Sequence, residues 1–107
     1  MAVYVDNVRI RWRGKLWCHL VADSLEELHS FAQLLGLKRH WFQDAASYPH
    51  YDVTVEIRQR ALRVGALKGS RVTIITCARS MKAELLREHK KQSPQLSLFC
   101  SLMTAAD

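Results

Sequence analysis

Cysteine is scarce and scattered in this chain. Cys18, Cys77 and Cys100 are odd in number, and none stands in a Cys-x-x-Cys pair. A disulfide scaffold and a zinc knuckle are therefore not expected, and a reducing cytoplasm is the expected setting. No apolar run approaches the roughly 20 residues of a membrane span, so no membrane partner is expected. The opening, Met1 to Asp6, lacks the basic-then-apolar order of a signal peptide and reads instead as a strand. There is no internal repeat and no low-complexity segment. Without a Gly-x-Ser-x-Gly elbow, Ser-His-Asp catalysis has no support. A phosphate loop, a dinucleotide fingerprint and the His-x-x-x-His or His-x-x-Glu-His spacings are missing too, so spacing assigns no residue to a metal.

What is present is an ordinary globular composition, 49% hydrophobic and 24% charged over 107 residues. That length makes one domain with a modest core. The charge pattern divides it into an α/β domain over residues 1–91 and a tail over residues 92–107. The net charge of +6 is unevenly placed, with six Lys/Arg against five Asp/Glu in residues 1–50 and ten against five in residues 51–107. A basic second half attracts phosphate, which makes DNA or a nucleotide the first partner to expect. Arg58, Arg60, Arg63 and Arg71 are the candidate phosphate contacts there.

The periodicities predict strands separated by helices. Arg9, Arg11, Arg13 and Lys15 alternate with Ile10, Trp12 and Gly14, which predicts a hairpin turning near Gly14, and Leu16–Val21 is the returning strand. Ser24 and Glu27 form a capping box for a helix whose stripe is Leu25, Leu28, Phe31, Ala32 and Leu35, stopped by Gly36. Residues 37–43 read as a short strand. Asp52 is expected to cap a second helix through Val64, with Arg58, Arg60 and Arg63 mostly outward. Val72–Ile75 is β-branched and suits a buried strand, and a third helix is expected over about 78–90. The fold class that follows is a small single-domain α/β sandwich with a largely parallel sheet and about three helices.

Beyond Arg87-Glu88-His89-Lys90-Lys91, the string Gln92-Ser93-Pro94 reads as a helix end followed by extended peptide. The next five residues, Gln95-Leu96-Ser97-Leu98-Phe99, resemble the bacterial sliding-clamp binding motif at every position. Average residue usage yields such a match by chance in roughly one chain of this length per several thousand, so the string is specific. In families that use it, the Gln amide hydrogen-bonds at the lip of a pocket and the Leu and Phe fill an apolar groove. The resemblance implies the bacterial β sliding clamp as a partner and a role in DNA replication or repair. The alternative is a last amphipathic helix, because Leu96, Phe99, Leu102 and Met103 also recur at helical spacing.

The body of the chain, from Val3 to Ala66, resembles the bacterial and phage family known as domain of unknown function four thousand and thirty-one. The likeness rests on Val3-Tyr4-Val5-Asp6, Leu16-Trp17-Cys18-His19-Leu20, Glu27-Leu28-His29-Ser30-Phe31-Ala32, Leu35-Gly36-Leu37, Arg39 and His50-Tyr51-Asp52. It implies an α/β fold and a phage or prophage origin, and it brings no agreed activity. Members often carry a second acid after the first Asp, where this chain has Asn7.

Four residues are candidates for catalysis: Asp6, His19, His50 and Asp52. Asp6 ends a first strand, where ligands of open α/β sheets bind, and resembles the first metal-holding acid of small PIN-like nucleases. A nuclease of that kind would take Mg²⁺ or Mn²⁺ on several carboxylates. The histidines offer a metal-free route, one imidazole taking a proton, another giving one, and Arg39 holding phosphate. Trp12, Trp17, Trp41 and Tyr48 interleave with basic residues and are able to stack bases, although Trp17 reads as core. The functional expectation is a DNA-metabolism protein docked on the clamp, the alternative being a nuclease or phosphoesterase acting on DNA, RNA or a nucleotide.

Overall fold

The computed structural model describes residues 2–44 and 48–103, with side chains through Glu88. Among the described residues the order is β1 (Val3–Val5), β2 (Ile10–Trp12), β3 (Lys15–Ala22), α1 (Leu25–Leu34), a 3-10 turn (Arg39–Trp41), β4 (Tyr51–Thr54), α2 (Val55–Arg63), β5 (Leu67–Lys68) and α3 (Arg71–Met103).

The long strand β3 organises the sheet. Leu20 is paired with both Val5 and Tyr51, and Trp17 with both Ile10 and Thr54. Strands β2 and β1 therefore follow one another along one edge of β3, and β4 lies along the other. All three pair antiparallel with β3. Among the described residues only β5 on β1 is parallel, so the sheet is mixed and mostly antiparallel rather than largely parallel. The reason lies in two local signals. Arg13 and Gly14 both take positive φ, +50° and +75°, and close the two-residue hairpin that matches strand twist. Val72–Ile75, read as a further strand, is instead the first turn of α3, because Ser70 caps it by accepting from the Thr73 N–H at 3.2 Å.

The pleat sorts the side chains. Val3, Val5, Cys18, Leu20, Ala22, Tyr51 and Val53 share one face and are buried. Helix α1 packs there, capped by Ser24 and closed by Gly36 at φ +84° as its sequence predicts. Helix α2 lies beside it, Arg60 donating to the Leu35 carbonyl. Tyr4, Trp17, His19, Val21 and Asp52 point to the opposite face, where α3 covers the Tyr4 and Val21 end. The corner before α3 needs glycine, since a Cβ at Gly69 would meet Ile74 Cδ1 at 3.0 Å and Tyr4 Cβ at 3.1 Å.

Four further expectations are corrected. The stretch 37–43 holds a 3-10 turn rather than a strand. Asp52 does not cap a helix; it sits in β4, and Thr54 caps α2 by accepting from the Ile57 N–H at 3.3 Å. With Val53 removed from the helix, the inward stripe of α2 runs through Arg58 and Ala61, and Arg58 is buried rather than outward. The expected third helix is longer than 78–90, its backbone running from Arg71 to Met103. The side chains of Gln95, Leu96, Ser97, Leu98 and Phe99, like residues 104–107, lie outside the described residues.

Candidate functional site

The α3-facing side of the sheet gathers Asp6, His19, His50 and Asp52. His19 and Asp52 are direct cross-strand partners in β3 and β4, so they project to the same face. His50 lies two residues before Asp52 and shares that face by the period of two. Its backbone is held by a bridge to Gln43, whose N–H donates to the His50 carbonyl at 2.8 Å. Asp6 reaches the same place because β1 ends at Val5. Its N–H donates to the His19 carbonyl at 3.2 Å, and its side chain carries the pairing on.

Asp6 is held from every side. Its Oδ1 accepts from the His19 backbone N–H at 2.8 Å, and its Oδ2 lies 2.6 Å from His19 Nδ1. Its own carbonyl accepts from Arg58 Nε at 2.6 Å. Burial alone raises the Asp6 carboxyl pKa, but the hydrogen bonds from the His19 ring and backbone outweigh it and hold the pKa below the usual value. An ionised carboxylate only accepts, so His19 donates from Nδ1, and Nε2 is the ring nitrogen free of that bond. His50 repeats the pattern with a different acceptor. Its Nδ1 lies 2.6 Å from the Tyr48 carbonyl, which also only accepts, while its Nε2 is 3.1 Å from Asp52 Oδ1. Burial opposes charge on His50, yet the Asp52 carboxylate and the Tyr48 carbonyl raise its pKa. That same hydrogen bond from His50 lowers the pKa of Asp52. The two rings meet edge to face, 4.8 Å between centroids.

Two cavities share His19. The larger, about 640 Å³, is walled by Asp6, His19 and His50 on the sheet side and by Ile74, Ile75 and Ala78 of α3, with Arg71 at its rim. The smaller, about 190 Å³, runs from His19 and Asp52 to Trp12 and Trp17. Trp12 is 56% exposed, meets Trp17 edge to face at 6.0 Å, and carries the Arg13 guanidinium 4.5 Å above its ring. Trp17 is only half-buried and donates its Nε1–H to the Trp12 carbonyl at 3.0 Å, so it lines this groove instead of filling the core.

The basic residues separate into those at the site and those elsewhere. Arg71 lines the larger cavity. Arg58 is spent on the Asp6 carbonyl and Arg60 on the Leu35 carbonyl, while Arg63 is exposed on α2. Arg39 lies over the Phe42 ring at 5.5 Å, and it is absent from the lining of either cavity. His29, beside Tyr51 in the sequence blocks, is on the other face of the sheet, its Nδ1 3.0 Å from the Tyr51 hydroxyl. The contributions of Gly69, Ile74 and Ile75 were not legible in the sequence, because their segment carries a strand-like β-branched run. A Ser three residues before a Thr at its start is the signal that pointed to a helix.

The sequence profile of the family described as "Protein of unknown function (DUF4031)" matches residues 3–81, most of the chain. The chain belongs to that family. The match runs beyond the Val3–Ala66 likeness into α3, so the family region takes in every wall of the larger cavity. No curated protein and no solved structure matches the chain.

Proposed function

We propose that this DUF4031 domain hydrolyses a phosphoester of DNA, RNA or a nucleotide, and that its tail recruits it to the bacterial β sliding clamp. One observation carries the first half. Asp6, His19, His50 and Asp52, spread over forty-odd residues of sequence, converge on one face of the sheet where two cavities meet at His19, with one ligand atom each from His19, His50 and Asp52 within 4.8 Å of the others. Structural needs do not call for two part-buried imidazoles and two carboxylates at one point, because each such group loses hydration on burial. The arrangement suits attack of water on phosphorus. The water oxygen bonds to phosphorus, the P–O bond to the alcohol breaks, and the protons of water end on phosphate and alcohol. His19, oriented by Asp6, and Asp52 are the groups placed to activate the water. Arg71 offsets the phosphate charge from the cavity rim.

The groove at Trp12 supplies the nucleic-acid character. An exposed Trp beneath an Arg is a stacking platform for a base, and it opens directly onto His19 and Asp52. The second half of the proposal rests on Gln95-Leu96-Ser97-Leu98-Phe99. A peptide contact of this size is weak alone, but it raises the local concentration of a tethered enzyme on DNA.

The test is a panel of labelled single- and double-stranded DNA, RNA and cyclic nucleotides, with the wild type beside Asp52→Asn. Asn is isosteric in β4 and cannot serve as a base. Turnover of at least one substrate, lost in Asp52→Asn with the circular dichroism unchanged, is the expected result. Equal rates in both proteins remove Asp52 from the chemistry.

A further inference from the structure

Two metal-binding groups, an imidazole and a carboxylate, face each other at the centre of the site. With Nδ1–H of His50 donated to the Tyr48 carbonyl, Nε2 is the ring nitrogen that faces the Asp52 carboxylate, 3.1 Å from Oδ1. A proton holds that pair together, and a metal ion that displaces it meets both donor atoms at once. His19 presents the same face, its Nδ1–H donated to Asp6. Each imidazole is thus oriented through its far nitrogen by an oxygen acceptor, the outer arrangement that fixes metal-binding histidines.

We infer that His19, His50 and Asp52 bind one divalent transition-metal ion of the zinc class. Ligand atoms around a tetrahedral ion with bonds of about 2.0–2.1 Å lie about 3.3 Å apart. The His50–Asp52 pair already stands at 3.1 Å, and all three atoms lie within 4.8 Å of one another. Closing the set requires an imidazole movement on the order of 1.5 Å to reach that tetrahedral edge. Two nitrogens and one carboxylate suit zinc, cobalt or nickel; Mg²⁺ favours an oxygen octahedron with retained waters. Residue spacing carries no sign of this site, because its ligands come from β3, β4 and the bridge before β4. The three protein ligands leave a position for water beside the larger cavity. The use of the ion there rests on the phosphoester reading, and its binding does not.

The experiment is isothermal titration of Zn²⁺ into the full chain after chelator treatment, with Co²⁺ absorption as a second probe. One ion per chain is expected, with visible bands of low-symmetry Co²⁺. Asp52→Ala and His50→Ala should each weaken Zn²⁺ binding by more than about tenfold, and Asp6→Asn, which only orients His19, by about 10–100-fold. Asp52 is surface-accessible, so its variant keeps the fold; circular dichroism verifies this for all three. Absence of saturable Zn²⁺ binding by the folded wild type overturns the inference, as does unchanged affinity in folded Asp52→Ala and His50→Ala. Turnover that survives chelation in a protein with no Zn²⁺ affinity overturns it while leaving the phosphoester reading intact. Zn²⁺ binding lost in the variants, without turnover of any substrate, supports it and contradicts that reading instead.

Discussion

Arg58 shows how far a single side chain reaches in this fold. Only 6% exposed, it places its Nε–H on the Asp6 carbonyl, directly behind the carboxylate that orients His19. Arg58→Met keeps the aliphatic stem and removes the donor, leaving a buried carbonyl unsatisfied. A loss of about 1–3 kcal/mol is expected in chemical unfolding. A midpoint equal to that of the wild type would show that water replaces the guanidinium. The sequence hid this residue, since an arginine on a helix is ordinarily outward and only the true start of α2 reveals its phase.

His29 makes a pH-dependent contribution separate from the site. Burial, then the nearby Arg39 charge, lower its pKa below the ordinary 6.5, with Glu88 partly opposing. The unfolded chain therefore holds more protons than the folded one below pH 6.5. This contribution to stability is full above 6.5, declines as pH falls toward the lowered value, and is then level. His29→Gln retains a polar partner for the Tyr51 hydroxyl and removes the titration. Urea midpoints measured across that window should be flatter in the variant, and parallel curves would show that His29 has the same pKa folded and unfolded.

At the scale of elements, the hairpin and α1 were legible because their signals are local. Alternation from Arg9 to Lys15, a glycine at the turn, a Ser–Glu capping pair and a terminal glycine each specify a conformation within a few residues. Gly14→Ala tests the first. Its φ is +75° and an added Cβ would meet nothing within 4 Å, so the cost is purely backbone strain. About 1 kcal/mol of destabilisation is expected, read as a lower urea midpoint at unchanged slope. No change would mean that the hairpin relaxes to another turn. Strand partnership was not legible. Tyr51–Thr54 and Val72–Ile75 have similar β-forming compositions, yet the first pairs with β3 and the second coils into α3. Pairing depends on which edge of β3 is open, and a cap at Ser70 outweighs β-propensity on a helix face. The candidate site was legible as residue types in blocks, whereas its wall of Ile74, Ile75 and Ala78 depended on that misread segment.

For the whole molecule, the length of α3 sets the relation between domain and tail. Its thirty-three residues rise about 50 Å, against about 27 Å for the eight of β3. The helix outruns the sheet, and Pro94 within it offers no N–H for the helical ladder, which weakens the last turns. That placement suits the proposed release of Gln95–Phe99 into a clamp groove. Leu98→Ala with Phe99→Ala should abolish capture by immobilised clamp, since each anchor of such a peptide contributes about 2 kcal/mol. Unchanged capture would end the recruitment proposal, and loss of the fold would show that the segment serves the core.

The recruitment proposal matters only if the domain has chemistry to deliver, and His19 is the residue common to both cavities and to the Asp6 dyad. The most direct measurement is the initial rate of phosphoester hydrolysis by wild type and by His19→Gln, on whichever substrate of the panel is turned over. Removal of a positioned group that activates water costs about 10²–10⁴-fold in rate, and a fall within that range is predicted with circular dichroism unchanged. Equal rates in the two proteins, or no hydrolysis of any substrate by the wild type, would contradict it.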